Sequence, residues 1–424
     1  MSKLRFSRSG FGPAVIVVLS AAGVMLATAL GRAAEPAKAD PSEPAAKKEY
    51  REDPVDQGQR KNGATIAAMA RAGQFQPDVP SGQKTVSDYY RKFKLAQHTS
   101  TDEKSLSALP EARATALREL KNLARSGGPV YLYIRDDVTL DYLNDIASKP
   151  NDKGLYCHPA VRVNAMLLIG ELNEKEAFAG SEVPVPLSAA VPKLVAAVES
   201  AEQIDAVRVA ALAGLYRHVR LGGIATADAK KLVGVAMFKL LKMARPPADR
   251  TPEGHAWMRG QAAAILGEIG MAGAKGVVAE AVAATVADDA LLFSARCIAA
   301  RALGKLKYPA PGELDPTPLA NALGKLAIDA CAAETPPNTF LQQRIIERIA
   351  AVSAGLRGDG EQAKGVGPLM TSDAQKKLLA DLNKVINDLN KAIKEKDVSG
   401  IIEARATLEE LLGTGKKEAA KDKS

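Results

Sequence analysis

Cys157 and His158 stand side by side, a thiol next to an imidazole and so the minimal nucleophile–base pair. Adjacent residues on a helix point about 100° apart, so adjacency argues against such a pair. Pro159 directly after them reads instead as the first turn of a helix. His158 and His255 invite a second chemistry, metal binding, because each stands four residues before an arginine of a recurring helix. Zinc needs every ligand within about 2.0–2.1 Å. Stacked helices are about 8–10 Å apart, so residues in phase two repeats apart lie roughly 20 Å from each other. Metal coordination by these two histidines is therefore not expected. His218, in "YRHVR", reads as a cationic residue at a helix C-terminus. Asp136, Asp137, Asp141 and Asp145 form an acidic run whose spacing does not fit a calcium loop. Trp257, the single tryptophan, reads as a plug at an irregular junction, with an anchor on a binding surface as the alternative. The chain has no C-x-x-C, H-E-x-x-H, Walker loop or G-x-S-x-G. No catalytic, cofactor or metal residues are expected, and no cofactor.

The elements that would position these residues are more informative. "HPAVRVNAMLLIGEL", "DAVRVAALAGLYRHV", "HAWMRGQAAAILGEIG" and "LLFSARCIAARALGKL" repeat one phrase. Aligned on Arg162, Arg208, Arg259 and Arg296, they share Ala165, Ala211, Ala262 and Ala299 three positions later. Seven positions later they share Ile169, Leu215, Leu266 and Leu303. Positions i, i+3 and i+7 lie on one helical face. An apolar helix precedes each of the last three copies, and a fifth pair is expected in "TPLANALGKLAIDACAA" and "TFLQQRIIERIAAVSAGL". One such pair cannot bury its apolar face alone, so copies must stack. The arginines share a face with Ala and Leu, so their heads need partners. Nearby acids suggest an Asp/Glu–Arg ladder between repeats: Asp205 for Arg208, Glu253 for Arg259 and Asp289 for Arg296.

The phrase A-V-R-x-x-A-x-x-x-[IL] resembles the second helix of HEAT repeats. The likeness covers about residues 111–357 and implies an all-α fold, an α-solenoid of stacked antiparallel helix pairs. It is similar to exported bacterial HEAT-repeat proteins, a resemblance that carries no activity with it. Ahead of it, residues 61–110 read as short helices and loops, with Ser87 or Asp88 as an N-cap and "SGQK" and "HTSTDEKS" as loops. "PVYLYIRD" is the one candidate for a short extended piece. Residues 34–60, rich in Pro, Ala and mixed charge, read as a disordered linker. "TSDAQKKLLADLNKVINDLNKAIKEKD" places Leu378, Leu382, Val385, Leu389 and Ala392 at coiled-coil spacing. With Ile401, Ala404, Leu408 and Leu411 it predicts a C-terminal helical hairpin over 367–413, followed by a basic tail, 414–424.

The first 33 residues set an expected compartment. Lys3, Arg5 and Arg8 precede a charge-free run from Pro13 to Leu30 and then small residues, the pattern of a signal peptide, with an uncleaved N-terminal anchor as the alternative. An exported, periplasmic or envelope-associated protein follows from either. Four of the 57 basic residues and none of the 49 acidic ones fall in this segment, leaving a net charge of +4. That is too mild to expect nucleic acid as a partner. Cys157, Cys297 and Cys331 give no disulfide framework and read as small buried thiols. The expected function is a non-catalytic scaffold whose concave helical surface binds a protein or peptide. The alternatives are an envelope-polymer or polyanion binder and an enzyme on a HEAT-like fold. Membrane contact is expected only through a retained N-terminal segment.

Overall fold

The computed structural model describes residues 49–76, 79–126, 128–178, 182–359 and 364–414. The expected leader, residues 34–48 of the expected linker and residues 415–424 of the tail lie outside the described residues. Among the described residues the fold is all-α. The one sheet among the described residues is a two-stranded antiparallel ladder of Asn173–Lys175 with Val185–Pro186. Among the described residues no helix is long and apolar enough to cross a membrane. The chain divides into two compact units, residues 1–168 with 202–213 and residues 169–201 with 214–424. The first unit takes in residues on both sides of the boundary expected at residues 110 and 111.

In the first unit, α1 (Asn62–Ala72) ends at Gly73, whose left-handed backbone (φ 63°) closes the helix. Helix α2 (Pro80–Tyr89) runs on into a π-helical turn, Tyr90–Lys94. Helices α3 (Glu103–Ser107) and α4 (Leu109–Ser126) follow, α3 capped by the Asp102 carboxylate accepting from the Ser105 amide at 2.9 Å. Helix α5 (Pro129–Tyr133) continues as a longer π-helical stretch, Ile134–Leu140, into α6 (Asp141–Ser148). The structure departs from three sequence expectations in this unit. Pro80 at the first helical position starts α2 early, so "SGQK", Ser87 and Asp88 lie inside a helix rather than in a loop or at a cap. "HTSTDEKS" is only partly loop, because it enters α3. "PVYLYIRD" is helical: Val130, Ile134 and Val138 recur every four residues and are buried, and that packing overrides the strand preference of the aromatic and branched residues.

The linker reading fails for residues 51–60. The Arg51 guanidinium pairs with Asp53 at 2.8 Å, and the Tyr142 hydroxyl donates to the same carboxylate at 2.7 Å. The Asp53 amide donates to Thr99 Oγ1 at 2.9 Å, and the Arg51 amide to the Tyr156 carbonyl at 2.9 Å. Burial opposes ionisation of Asp53, yet the bonds from Arg51 and Tyr142 hold its carboxyl below the usual carboxylate range. A few satisfied polar groups thus fasten a segment that has little apolar surface to bury.

Helix α7 (Pro159–Glu171) carries the first repeat phrase and α9 (Asp205–Arg220) the second, with α8 (Val191–Glu199) between them. The second unit continues with α10 (Ala227–Lys242), α11 (Pro252–Ile269), α12 (Val277–Ala287), α13 (Phe293–Lys305), α14 (Thr317–Ala333) and α15 (Gln342–Arg357). Helix α10 packs on α11, α12 on α13, and α14 on α15. Like helices also meet: α8, α10, α12 and α14 touch in succession, as do α11, α13 and α15. Helix α16 (Asp373–Glu395) opens with Ser372 and Gln375 in a capping box. It ends at left-handed Lys396, and Asp397 caps α17 (Val398–Leu411). The two helices pack on each other, α16 also on α15 and α17 also on α14. Leu382, Val385, Leu389 and Ala392 are buried as spaced, together with Ile401, Ala404 and Leu408. Ile386 and Ile393 are buried as well, which widens the seam beyond a two-position stripe.

Candidate functional site: the second-helix face

Arg162, Arg259 and Arg296 are only 2–5% exposed, so their cationic heads must be bonded. One rule places all three. Each Nε–H donates to the carbonyl of the second-last residue of the helix before it: Arg162 to Ala147 in α6 at 3.0 Å, Arg259 to Leu241 in α10 at 3.2 Å, and Arg296 to Val286 in α12 at 2.8 Å. Helix ends leave such carbonyls unpaired, and a cation there also complements the helix dipole. The terminal nitrogens reach onward along the chain. Arg162 donates to Gln203, Arg259 to Asp288 at 3.1 Å and Thr285 at 3.3 Å, and Arg296 to Asp329 in α14 at 2.6 Å. Arg162 also lies over the Tyr156 ring at 4.5 Å. Each arginine therefore ties its own pair's first helix to a polar residue further along.

Two of the expected acid partners are replaced. Arg208 does pair with Asp205, in its own first turn. Glu253 is exposed in the first turn of α11, and the acid on Arg259 is Asp288. Asp289 pairs with Lys325 at 3.2 Å, and that amine holds its carboxyl below the usual range, while Arg296 takes Asp329. The reason is direction: the side chains reach towards the following helix pair, so the partner is tens of residues away rather than next in sequence. A buried carboxylate that the sequence did not flag repeats the theme. Glu334, just past α14, accepts from Arg348 at 2.9 Å, from Arg344 at 3.3 Å and from the Leu341 amide at 3.0 Å.

Three of the four histidines are structural fixtures. His158 Nδ1 accepts from the Ala160 amide at 3.2 Å and so starts α7, beside the buried Cys157. His255 Nε2 donates to the Met243 carbonyl at 2.7 Å while Arg250 Nη1 donates to its Nδ1 at 3.1 Å. His218, expected as a cationic residue at a helix C-terminus, is instead a fully buried ring. Its Nδ1 is 2.8 Å from the Gly214 carbonyl and its Nε2 3.2 Å from that of Leu187. Burial pushes its pKa down, against the pull of those two carbonyls. All three cysteines are free thiols. Burial raises the thiols of Cys157 and Cys297 to about 11 and that of Cys331 to about 12, although Cys297 is only half-buried. In the acidic run, Asp136 bonds Arg135 and Asp145 bonds Lys149 at 2.8 Å. Among the described residues no group of three or more His, Cys, Asp or Glu is placed to hold a metal.

With the arginines turned inward, a different set of residues remains on the outside. Trp257, Gln261, Ala264 and Glu268 recur at 4-3-4 spacing as the half-buried stripe of α11, and Ile298, Arg301 and Lys305 form that of α13. The two stripes are joined by the Lys305–Glu268 pair at 2.8 Å. Tyr216, at the end of α9, lies within electrostatic reach of both, its phenol pKa raised by burial and by Glu268. The second helices are also very close. A Cβ on Gly267 would meet Ala302 Cα at 2.9 Å, one on Gly260 would meet Ala295 Cα at 3.1 Å, and one on Gly170 would meet Gly214 Cα at 2.7 Å. Contact along the row of first helices is sparser, and a Cβ on Gly234 of α10 would meet the sulfur of Met271, in the segment after α11.

Compared with known proteins, the sequence matches no family model, curated protein or solved structure.

Proposed function

We propose that the helix pairs of the second unit form a HEAT-like α-solenoid that acts as a binding scaffold, holding a protein or peptide against its row of second helices. The observation that carries this reading is the close backbone approach along the second row, set against sparser contact along the first. Backbones in the second row approach through Gly and Ala, and a stack whose one row is tighter curves towards that row. The tight row is then the concave side, and Tyr216, Trp257, Gln261 and Ile298 lie along it. An extended concave strip with aromatic and small apolar positions suits a long partner better than a small substrate. The repeat arginines take no part in contact, because their donors are bound internally. Following the basic head and apolar run of residues 1–33, we place the scaffold and its partner outside the cytoplasm.

Crosslinking in intact cells followed by mass spectrometry identifies the partner, and titration of that partner at low and high salt gives its class. A protein partner held by a few anchors loses little affinity with salt. A polyanion loses affinity steeply through counterion release. Capture of no specific partner, with turnover of a small substrate by the purified protein, would overturn the scaffold reading.

A further inference from the structure

The first unit holds a feature that the scaffold reading does not use. A cleft of 570 Å³ opens between α4 and the two π-helical segments. Its size falls in the usual range for small-molecule sites, about 300–1,000 Å³. Val55, Leu95, Leu109 and Leu120 supply apolar wall, and Lys94 and Glu119 face it as an ion pair at 2.6 Å. Two polar atoms on this wall are buried and have no hydrogen-bond partner among the described residues: Nδ1 of His98 and Oγ1 of Thr139. Thr139 is only 2% exposed. A buried donor or acceptor left unmade costs about 1–3 kcal/mol, so two on one cleft wall call for an occupant. The backbone points the same way. Tyr90 and Lys94 belong to one π-helical turn and Thr139 to the other, and such turns are rare and concentrate at functional sites.

We propose that this cleft binds a small uncharged molecule with an apolar body and a group that both donates and accepts hydrogen bonds, as a primary amide does. The charge class follows from the wall. Lys94 and Glu119 neutralise each other, so a bound anion would face Glu119 and a bound cation would face Lys94. The head group follows from the two orphan atoms. The Thr139 hydroxyl can donate to a carbonyl. His98 Nδ1 accepts in one neutral tautomer and donates in the other, and an amide satisfies both. Burial, with Lys94, pushes the His98 pKa down despite Glu119, in keeping with a neutral ring.

The test uses the full chain and three probes of one length: octanamide, octanoate and octylammonium, followed by ligand-observed NMR and calorimetry. Octanamide binds, and the two charged probes bind at least about fivefold more weakly. Thr139→Val keeps the side-chain shape and removes the hydroxyl. It weakens octanamide about fivefold, the effect of one neutral hydrogen bond, and leaves the melting temperature unchanged or higher because an orphan group is gone. The proposal is overturned if charged probes bind as well as the amide, or if Thr139→Val leaves amide binding intact. It is equally overturned if Thr139→Val lowers the melting temperature by several degrees, which would make the hydroxyl structural. It also fails if no probe binds and a crystal structure shows an ordered water bridging His98 and Thr139.

Discussion

Replacing Arg296 by Met tests the arginine ladder. The new side chain keeps most of the apolar stem and removes the guanidinium, whose side chain is 3% exposed. Two bonds are lost, to the Val286 carbonyl and to Asp329. Breaking a fully buried ion pair costs about 3–5 kcal/mol. The Asp329 side chain is 28% exposed, so water partly compensates it, and that part falls to about 2 kcal/mol. The orphaned Val286 carbonyl adds about 1 kcal/mol. The expected loss is therefore about 2–4 kcal/mol. The assay is urea unfolding followed by tryptophan fluorescence, because Trp257 is the only tryptophan and lies in α11 of the second unit. Arg301→Met, five residues along on the outer stripe, serves as the control and should cost less than about 0.5 kcal/mol. Asp329→Asn in the Arg296→Met background should cost little more than either change alone, since the two side chains form one interaction. Equal losses for Arg296→Met and Arg301→Met, or additive losses for Arg296 and Asp329, would refute the ladder.

Gly267→Ala should destabilise the second unit by about 1–3 kcal/mol through overpacking against Ala302, and Ala302→Gly should recover part of it in the same fluorescence assay. His98, His158 and His218 all have pKa values below the usual 6.5, so below that pH the unfolded chain binds more protons than the folded one. Stability is then fully present above about pH 6.5 and falls as pH drops through the depressed folded values. His218→Gln should flatten that loss in urea titrations from pH 7 to 5, and an unchanged slope would remove His218 from the account. Native labelling with iodoacetamide at pH 8 should be slow at all three thiols and detectable first at Cys297, the least buried of them. Rapid labelling of Cys331 would contradict its burial.

What was legible in the sequence is what periodicity and local chemistry encode. The four arginine helices, the fifth pair and the Ser372-capped hairpin could be read because apolar spacing and caps act within a few residues. The arginine partners could not. Asp329 lies 33 residues from Arg296, and only the packing of one helix pair on the next brings it closer than Asp289. The segment from Arg51 to Arg60 looked like spacer because its anchors are single polar residues, Asp53 above all, whose partners Tyr142 and Thr99 are far along the chain. "PVYLYIRD" misled because its residue types favour strands, whereas its burial follows helical spacing. The cleft was invisible for both reasons: His98, Glu119 and Thr139 come from three elements, and π-helical turns leave no clear mark in sequence.

The second-helix row of the second unit is the proposed binding face. A photo-crosslinking amino acid placed at Gln261, on the outer stripe of α11, tests it most directly, with the same residue at Leu232, exposed on α10, as the comparison. Irradiation of intact cells should give a discrete adduct from position 261 and none from position 232. An adduct from position 232 alone, or none from position 261, would rule out the second-helix row as the binding face.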